Sequence, residues 1–110
     1  MSRSPSVHFK PVAVDSYVYF LAFPGVLTAD QGDLVEFTGD EATLLFFPEP
    51  EIFVEATPMI VAVAKHEPFA RHLRKLNPDG PRETHQYAAF SRESANFALG
   101  GSNPKIIIGP

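Results

Sequence analysis

The sequence predicts an all-β protein, an antiparallel Greek-key β-sandwich with one short α-helix. The chain has 110 residues, the length of one ordinary domain, so residues 1–110 are expected to form a single β-sandwich domain. Eleven prolines cut the chain into short segments, which disfavours long helices. Ten phenylalanines place much of the large apolar area in a residue type that favours strands. About seven short strands separated by turns are typical of a sandwich.

The first half of the chain contains four predicted strands. SVHFK alternates between apolar and polar residues, and we expect this first strand to end near Pro11. Residues 16–23, SYVYFLAF, are apolar almost throughout, which indicates a strand covered on both faces. LVEFTG and ATLLFFPEP flank a tight turn and predict a hairpin of residues 34–47. Alternation places Val35 and Phe37 of this hairpin in the core.

The predicted helix covers residues 67–76. Phe69, Leu73 and Leu76 fall at the i, i+4 and i+7 positions of one helical face. Pro68 suits the first turn of a helix, and the Asn and Pro that follow Leu76 end it. The segments EIFVEA, MIVAVAK, ETHQYAAFSRE and KIIIGP are predicted as further strands.

Composition excludes several classes of protein. The absence of cysteine excludes disulfides, thiolate metal sites and cysteine nucleophiles. The net charge of −4 is the wrong sign for binding a phosphate backbone, so no nucleic-acid partner is expected. The apolar runs are too short to span a membrane, and MSRSPSVHFKPV lacks the apolar segment of a signal peptide. We therefore expect a cytoplasmic protein without a membrane partner.

The segment GDLVEF, residues 32–37, together with the end of the chain, resembles the cupredoxins. The comparable cupredoxin segment runs Gly-Asp-x-Val-x-Phe before a turn and an apolar strand. HQYAAFS, a glycine-containing loop and KIIIGP resemble the last two strands of that family, which carry most of its copper ligands. The resemblance implies a Greek-key sandwich.

The same resemblance implies that the copper site is absent. The first copper histidine of the family would fall near Ala42 or Thr43, and its cysteine near Phe90 or Ser91. The loop 92–104 contains neither histidine nor methionine. Because a blue-copper site needs a thiolate and two imidazoles, the resemblance implies the scaffold without this cofactor.

Three histidines are the remaining candidates for a metal site: His66, His72 and His85. His66 and His72 are six residues apart, about 240° around a helix, whereas the zinc motif of helical metalloproteases needs two histidines four apart. The alternative is that His66 caps the helix and His72 lies on its solvated face. A site that includes His85 requires the fold to bring the three together.

The predicted helix also carries Arg71, Arg74 and Lys75 on the side away from its apolar residues. These side chains form either a solvated outer face or a docking surface for a small anion or for a protein partner, such as the acidic half of another copy. The overall negative charge argues against nucleic acid at this surface.

No catalytic motif emerges from the residues, since the serines lack an elbow motif and GGSNP lacks the lysine of a phosphate-binding loop. The sequence therefore predicts a non-catalytic binding or assembly module. The alternative is a histidine-based metal-binding protein or metal-dependent enzyme. Residues 16–23 and 43–47 carry large apolar side chains on both faces. Such strands predict a second buried surface, most economically a homodimer interface.

Overall fold

A computed structural model of the chain describes residues 5–74, 81–98 and 104–109. Within these ranges the chain forms eleven strands and one short 3-10 helix, Pro50–Ile52. The strands are β1 (Ser6–Val14), β2 (Tyr17–Phe23), β3 (Val26–Asp30), β4 (Leu34–Gly39), β5 (Thr43–Phe46), β6 (Ile60–Val63), β7 (Phe69–His72), β8 (Glu83–Gln86), β9 (Ala88–Ser91), β10 (Asn96–Phe97) and β11 (Lys105–Gly109). No helix in the described ranges has the length and apolar character needed to cross a bilayer.

The strands form three sheets, in the orders β2-β1-β4-β7, β10-β9-β5-β6 and β3-β11-β8. Strands β8 and β9 are separated only by Tyr87, so one continuous stretch of chain contributes β8 to the third sheet and β9 to the second. Six of the strand pairs are antiparallel, whereas β1 with β4 and β3 with β11 are parallel. The predicted β-sandwich class is confirmed, with these two parallel pairs as an addition to the antiparallel pattern.

Aromatic side chains fill the space between the sheets. Phe9 of β1 and Phe37 of β4 are fully buried, with ring centroids 6.5 Å apart. Phe37 meets Phe47 from the other side of the core at 5.6 Å in an edge-on arrangement. Val35 and Phe37 have no exposed surface, which confirms the predicted inward face of β4. Fully burying one such side chain contributes roughly 1.5–3 kcal/mol, so this cluster holds the layers together.

The predicted hairpin of residues 34–47 is wrong, because its two strands lie in different sheets. Strand β4 pairs with β1 and β7, whereas β5 pairs with β6 and β9. The chain changes layer at Gly39, where an added Cβ would lie 2.7 Å from the carbonyl oxygen of Glu41 and 2.7 Å from Oγ1 of Thr43. Turn signals between two apolar runs mark a change of direction, but they do not determine which strand each run pairs with.

The predicted helix at 67–76 is also wrong over the residues that the structure describes. Residues Phe69–His72 form β7, which is antiparallel to β4 with Phe69 opposite Phe37. Phe69 packs against the core and Leu73 is fully buried. A spacing of four residues is a multiple of the strand period of two, so it puts both side chains on one face of a strand as well as of a helix. Residues 75 and 76 lie outside the described ranges.

Three smaller differences have local causes. Strand β1 continues through Pro11, because its pairing with β4 ends at Phe9 and no ladder bond is then needed from the proline nitrogen. EIFVEA contains the end of the 3-10 helix and a single bridge between Phe53 and Leu73 instead of a strand. Strand β3 lies in a segment without a predicted strand and is held by parallel pairing with β11.

Tyr87 sits in the middle of the aromatic core, at the junction of β8 and β9. Its ring centroid lies 5.7 Å from that of Phe37 and 5.8 Å from that of Phe47. Its hydroxyl oxygen is buried and has no hydrogen-bond partner among the described residues. Burial raises the pKa of the phenol well above its usual range, so the group stays neutral.

We predict that Tyr87→Phe increases the free energy of unfolding by about 1 kcal/mol, because it removes a buried hydroxyl without a partner and keeps the ring. Urea unfolding of both proteins measures the change. The matched control is Tyr17→Phe, on an exposed tyrosine of β2, which is expected to change stability little. A clear loss of stability in Tyr87→Phe would contradict the assignment of an unpaired hydroxyl.

Candidate functional site

The positions that the cupredoxin resemblance assigns to copper ligands are adjacent in the structure. Thr43 of β5 stands opposite Ser91 of β9, and Leu44 stands opposite Phe90. Thr43 and Ser91 are both buried on the inner face of the second sheet. The fold therefore places Thr43 and Ser91, two of the four positions that the resemblance assigns to copper ligands, side by side on one face of the sheet.

These hydroxyls form a hydrogen-bonded cluster with one carboxylate. The Glu41 cluster consists of Glu41, Thr43, Ser91 and Ser94. The hydroxyls of Ser91 and Ser94 donate to Oε1 of Glu41 at 2.5 and 2.6 Å. The Ser94 amide donates to the Ser91 hydroxyl at 3.2 Å, and the Thr43 hydroxyl donates to the Glu41 carbonyl at 2.8 Å. The cluster thus ties the turn after β9 to the β4–β5 connection.

The surroundings of Glu41 favour its ionised form. Burial alone would raise the pKa of this carboxyl, but hydrogen bonds from Ser91 and Ser94 and the charge of Lys65 lower the pKa below its usual value overall. An ionised carboxylate only accepts hydrogen bonds, so both serine protons point to it. The cluster therefore has a structural role, since the hydroxyls of Ser91 and Ser94 are hydrogen-bonded to the Glu41 carboxylate.

We predict that Glu41→Gln destabilises the fold at neutral pH and that the effect disappears in acid. The pKa of Glu41 is lower in the folded than in the unfolded state, so the ionised carboxylate stabilises the fold. This stabilisation is complete above the unfolded-state pKa of 4.5 and is lost as the pH falls through the folded-state pKa. Urea unfolding of variant and parent at a series of pH values from neutral to acidic measures the difference in their free energies of unfolding.

The control for that series is Glu51→Gln, which makes the same change in net charge at an exposed position of the 3-10 helix. If the difference in free energy of unfolding between Glu41→Gln and the parent stays constant with pH, the role given to the ionised carboxylate is wrong.

His85 is the most buried of the three histidines considered as metal ligands. It lies on β8 with Nδ1 3.1 Å from a carboxylate oxygen of Glu49 and Nε2 2.8 Å from one of Glu83. Arg74 approaches the same oxygen of Glu83 at 3.6 Å. Both ring nitrogens of His85 are therefore engaged by carboxylates on opposite sides of the ring.

His66 and His72 lie on other elements. His66 follows β6 with a positive φ of 64°, and its amide donates to the carbonyl of Gly39. The Nδ1 atom of His72 lies 2.6 Å from Oε2 of Glu55, and this hydrogen bond lowers the pKa of Glu55. Among the described residues, no group of three or more His, Asp or Glu side chains could hold a metal ion.

We predict less than stoichiometric metal in protein purified without a histidine tag, because His72 and His85 are already paired with carboxylates. Elemental analysis by plasma mass spectrometry after dialysis measures the content. The parent should match a variant in which His66, His72 and His85 are all replaced by Gln. One zinc or copper ion per parent chain, lost in that variant, would contradict this prediction and favour a metalloprotein.

The basic residues of the predicted docking surface contact different neighbouring residues. Arg71 stacks 4.2 Å from the ring centroid of Phe69, and its Nη1 donates to the carbonyl of Ala70 at 2.8 Å. Arg74 faces Glu83. Lys75 lies outside the described residues. Docking of a small anion or a protein at these residues stays a prediction.

A further polar group lies across β1 and β4. The Nδ1 atom of His8 lies 2.9 Å from the Thr38 hydroxyl, and Nε2 lies 2.8 Å from Oδ1 of Asp40. His8 stands opposite Thr38 in the strand register. The order hydroxyl, imidazole, carboxylate is that of a catalytic triad, but His8 and Asp40 are partly exposed on the outer face of the sheet. We interpret the group as a cross-strand polar contact, which the sequence spacing does not reveal.

The outer face of the second sheet is apolar on all four of its strands. Alternation directs seven side chains outward, and all of them are apolar. This apolar face consists of Leu44, Phe46, Ile60, Ala62, Ala88, Phe90 and Phe97. The sequence of residues 43–47 predicts apolar residues on both faces of β5, and the structure adds the neighbouring strands to this surface.

The apolar face is open to solvent. Ile60 and Phe97 are 61% and 62% exposed, and the Phe97 ring lies 5.0 Å from that of Phe90. A shallow groove of about 230 Å³ runs over the face between these residues. A second groove of about 240 Å³ continues past Leu44 and Ala62 to Arg92. The sheet therefore presents an apolar surface with shallow grooves and a charged side chain at one end.

Comparison with solved structures relates the fold to that of copper proteins. Fourteen chains match, among them a protein whose structure is titled "Crystal structure of multicopper oxidase". It superimposes with a TM-score of 0.50 at 17% identity over 96% of this chain and 41% of that chain. The fold is thus cupredoxin-like, as the sequence resemblance implies, and the chain spans less than half the length of that oxidase. No model of a known protein family and no curated protein matches the chain.

Proposed function

We propose that this chain is a non-catalytic assembly module on a cupredoxin-like scaffold, and that it forms homodimers through the apolar face. The observation that carries the proposal is that all seven outward positions on β5, β6, β9 and β10 are apolar. A sheet with one solvated face normally alternates apolar with polar residues. On this sheet the outward positions are apolar throughout, while the inward positions combine apolar side chains with the hydroxyls of Thr43 and Ser91.

A second copy is the partner that suits such a surface. The seven side chains of the apolar face carry no charge that could select a different partner, and Arg92 lies only at the end of the groove past Leu44 and Ala62. Two-fold symmetry brings the same patch of both copies together, so an apolar patch is complementary to itself. Two sheets stacked face to face lie about 10 Å apart and interdigitate their side chains. Ile60 and Phe97, at opposite edges of the sheet, would then both be covered.

The size of the apolar face sets the strength of this contact. The exposed parts of its side chains amount to roughly 500 Å², taking about 200 Å² for a large exposed side chain. The same area is buried on each copy, so at roughly 25 cal/mol per Å² the contact contributes about 25 kcal/mol before the cost of association, which is itself on the order of 4–15 kcal/mol or more. The apolar face alone therefore supplies a net driving force for dimerisation.

The structural comparison supports an assembly role in one respect. The related oxidase contains a region with this fold within a chain more than twice as long. The sandwich is in that protein one part of a larger polypeptide, which is compatible with a scaffold that works next to other protein. The alternative, a histidine-based metal-binding protein or metal-dependent enzyme, requires His66, His72 and His85 to act together.

We predict a dimer of the 12.1 kDa chain at micromolar concentration and a monomer for Ile60→Lys. A lysine at this position would have to be buried in the interface as an unpaired charge, which weakens binding by roughly 100-fold or more. Sedimentation equilibrium measures both masses.

The matched control is Val54→Lys, which places the same charge on a 67% exposed valine away from the apolar face and should leave the dimer intact. A parent protein that sediments as a monomer throughout the micromolar range would contradict the proposal. So would equal dissociation of the two variants.

A further inference from the structure

We infer that the two grooves on the apolar face form one binding site for a medium-chain aliphatic carboxylate, with Arg92 as the partner of the carboxylate group. The groove of about 240 Å³ that ends at Arg92 is the Arg92 groove, and the groove of about 230 Å³ next to Phe97 is the Phe97 groove. The inference goes beyond the self-association proposed above, because it assigns a small-molecule ligand to the same surface. The ligand and a second copy would compete for that surface.

Arg92 lies on the same side of the sheet as the apolar face. Ser91, the last residue of β9, is buried, so alternation directs Arg92 outward, two residues after Phe90. The Arg92 side chain is exposed and lines the Arg92 groove. It makes no hydrogen bond and no ion pair with any residue in the described part of the chain. A guanidinium in this state is available to bind a carboxylate through two parallel N–H donors.

Three alanines form the hollow next to Arg92. Ala42, Ala62 and Ala64 line the Arg92 groove together with Leu44. Their side chains end at one methyl group, so they leave space above the sheet that larger residues fill elsewhere on the apolar face. Leu44 also lines the Phe97 groove. The two grooves therefore adjoin and form one apolar path that ends at the guanidinium.

The length of this path sets the length of the ligand. Arg92 and Ala88, which lines the Phe97 groove, are four residues apart along one outward row. At the rise of a strand this separation is about 13 Å. An extended alkyl chain advances about 1.25 Å per carbon when its bond lengths and angles are those of saturated carbon in the backbone. A chain of about ten carbons therefore covers the path, which corresponds to decanoate or dodecanoate.

The backbone under the grooves favours an alkyl chain over a peptide. Strand β5 lies between β9 and β6, and β9 lies between β10 and β5, so the hydrogen-bonding edges of both strands face neighbouring strands. A peptide laid over this face would lose hydrogen bonds to water without replacing them. An alkyl chain has no such groups and gains from contact with apolar side chains alone.

Charge distinguishes this ligand from a second copy. The seven side chains of the apolar face are uncharged, so they bring no carboxylate to Arg92 when two copies meet by this face. An aliphatic carboxylate suits both parts of the surface, since its chain covers the grooves and its head group neutralises the guanidinium.

A series of carboxylates tests the site. The signals of Ala62 and Ala64 in protein labelled with ¹³C at the alanine methyl groups report binding by nuclear magnetic resonance. We expect affinity to rise roughly fourfold from octanoate to decanoate and again to dodecanoate, because about half of each added methylene is buried in the open grooves. Tetradecanoate should gain little more, since the path ends. Affinity that does not depend on chain length, or unchanged alanine signals at millimolar decanoate, would overturn the inference.

Variants separate the roles of the head group and the chain. Arg92→Gln should weaken binding of decanoate roughly tenfold, the effect of losing a charge-assisted hydrogen bond, and leave binding of decanol unchanged. The matched control is Arg82→Gln, which removes the same charge at an exposed position before β8 and outside both grooves. Ala62→Phe fills the Arg92 groove and should abolish binding of both ligands, with unchanged circular dichroism because Ala62 is exposed. Equal losses of decanoate binding in Arg92→Gln and Arg82→Gln would overturn the assignment of Arg92.

The dependence on protein concentration separates this inference from the self-association proposed above. If copies associate by the apolar face, the apparent dissociation constant of decanoate rises as the protein concentration rises. A parent that sediments as a dimer but does not bind decanoate would overturn the ligand site and leave the dimer standing. A parent that binds decanoate with one constant at every concentration and sediments as a monomer would overturn the dimer and support the ligand site.

Discussion

The contact between aromatic rings across the sandwich is the interaction on which the rest of the structure depends. Phe9 and Phe37 from the first sheet meet Phe47 and Tyr87 from the other layer, and all four are buried. This packing fixes which face of β5 and β9 points inward. It therefore determines that Leu44 and its neighbours on the apolar face point outward. The exposed surface is a consequence of how the core is filled.

The inward and outward faces of single strands could be predicted from the sequence, whereas their partners could not. Alternation gave the correct core positions Val35 and Phe37, because side-chain direction is a local property of a strand. The turn between β4 and β5 predicts a hairpin that the structure does not contain, since a turn does not specify whether the chain stays in its layer. Phe69 and Leu73 suited a strand and a helix equally, and pairing with β4 decides between them.

The candidate site was predicted in part for the same reason. The resemblance to cupredoxins assigns copper-ligand positions near Ala42 or Thr43 and near Phe90 or Ser91, and the structure pairs Thr43 with Ser91 across β5 and β9. The hydrogen bonds to Glu41 depend on the turn after β9, which no local pattern describes. A scaffold can keep its geometry when its metal ligands are absent, because the aromatic core and the strand ladders supply the stability.

The central claim is that the apolar face is covered by a second copy in solution. Solvent paramagnetic relaxation in nuclear magnetic resonance tests it most directly, with a soluble nitroxide as the probe. The account predicts that the methyl signals of Ile60 are protected at high protein concentration and become accessible on dilution, while those of Val54 are accessible throughout. Equal broadening of Ile60 and Val54 at every concentration would contradict the account.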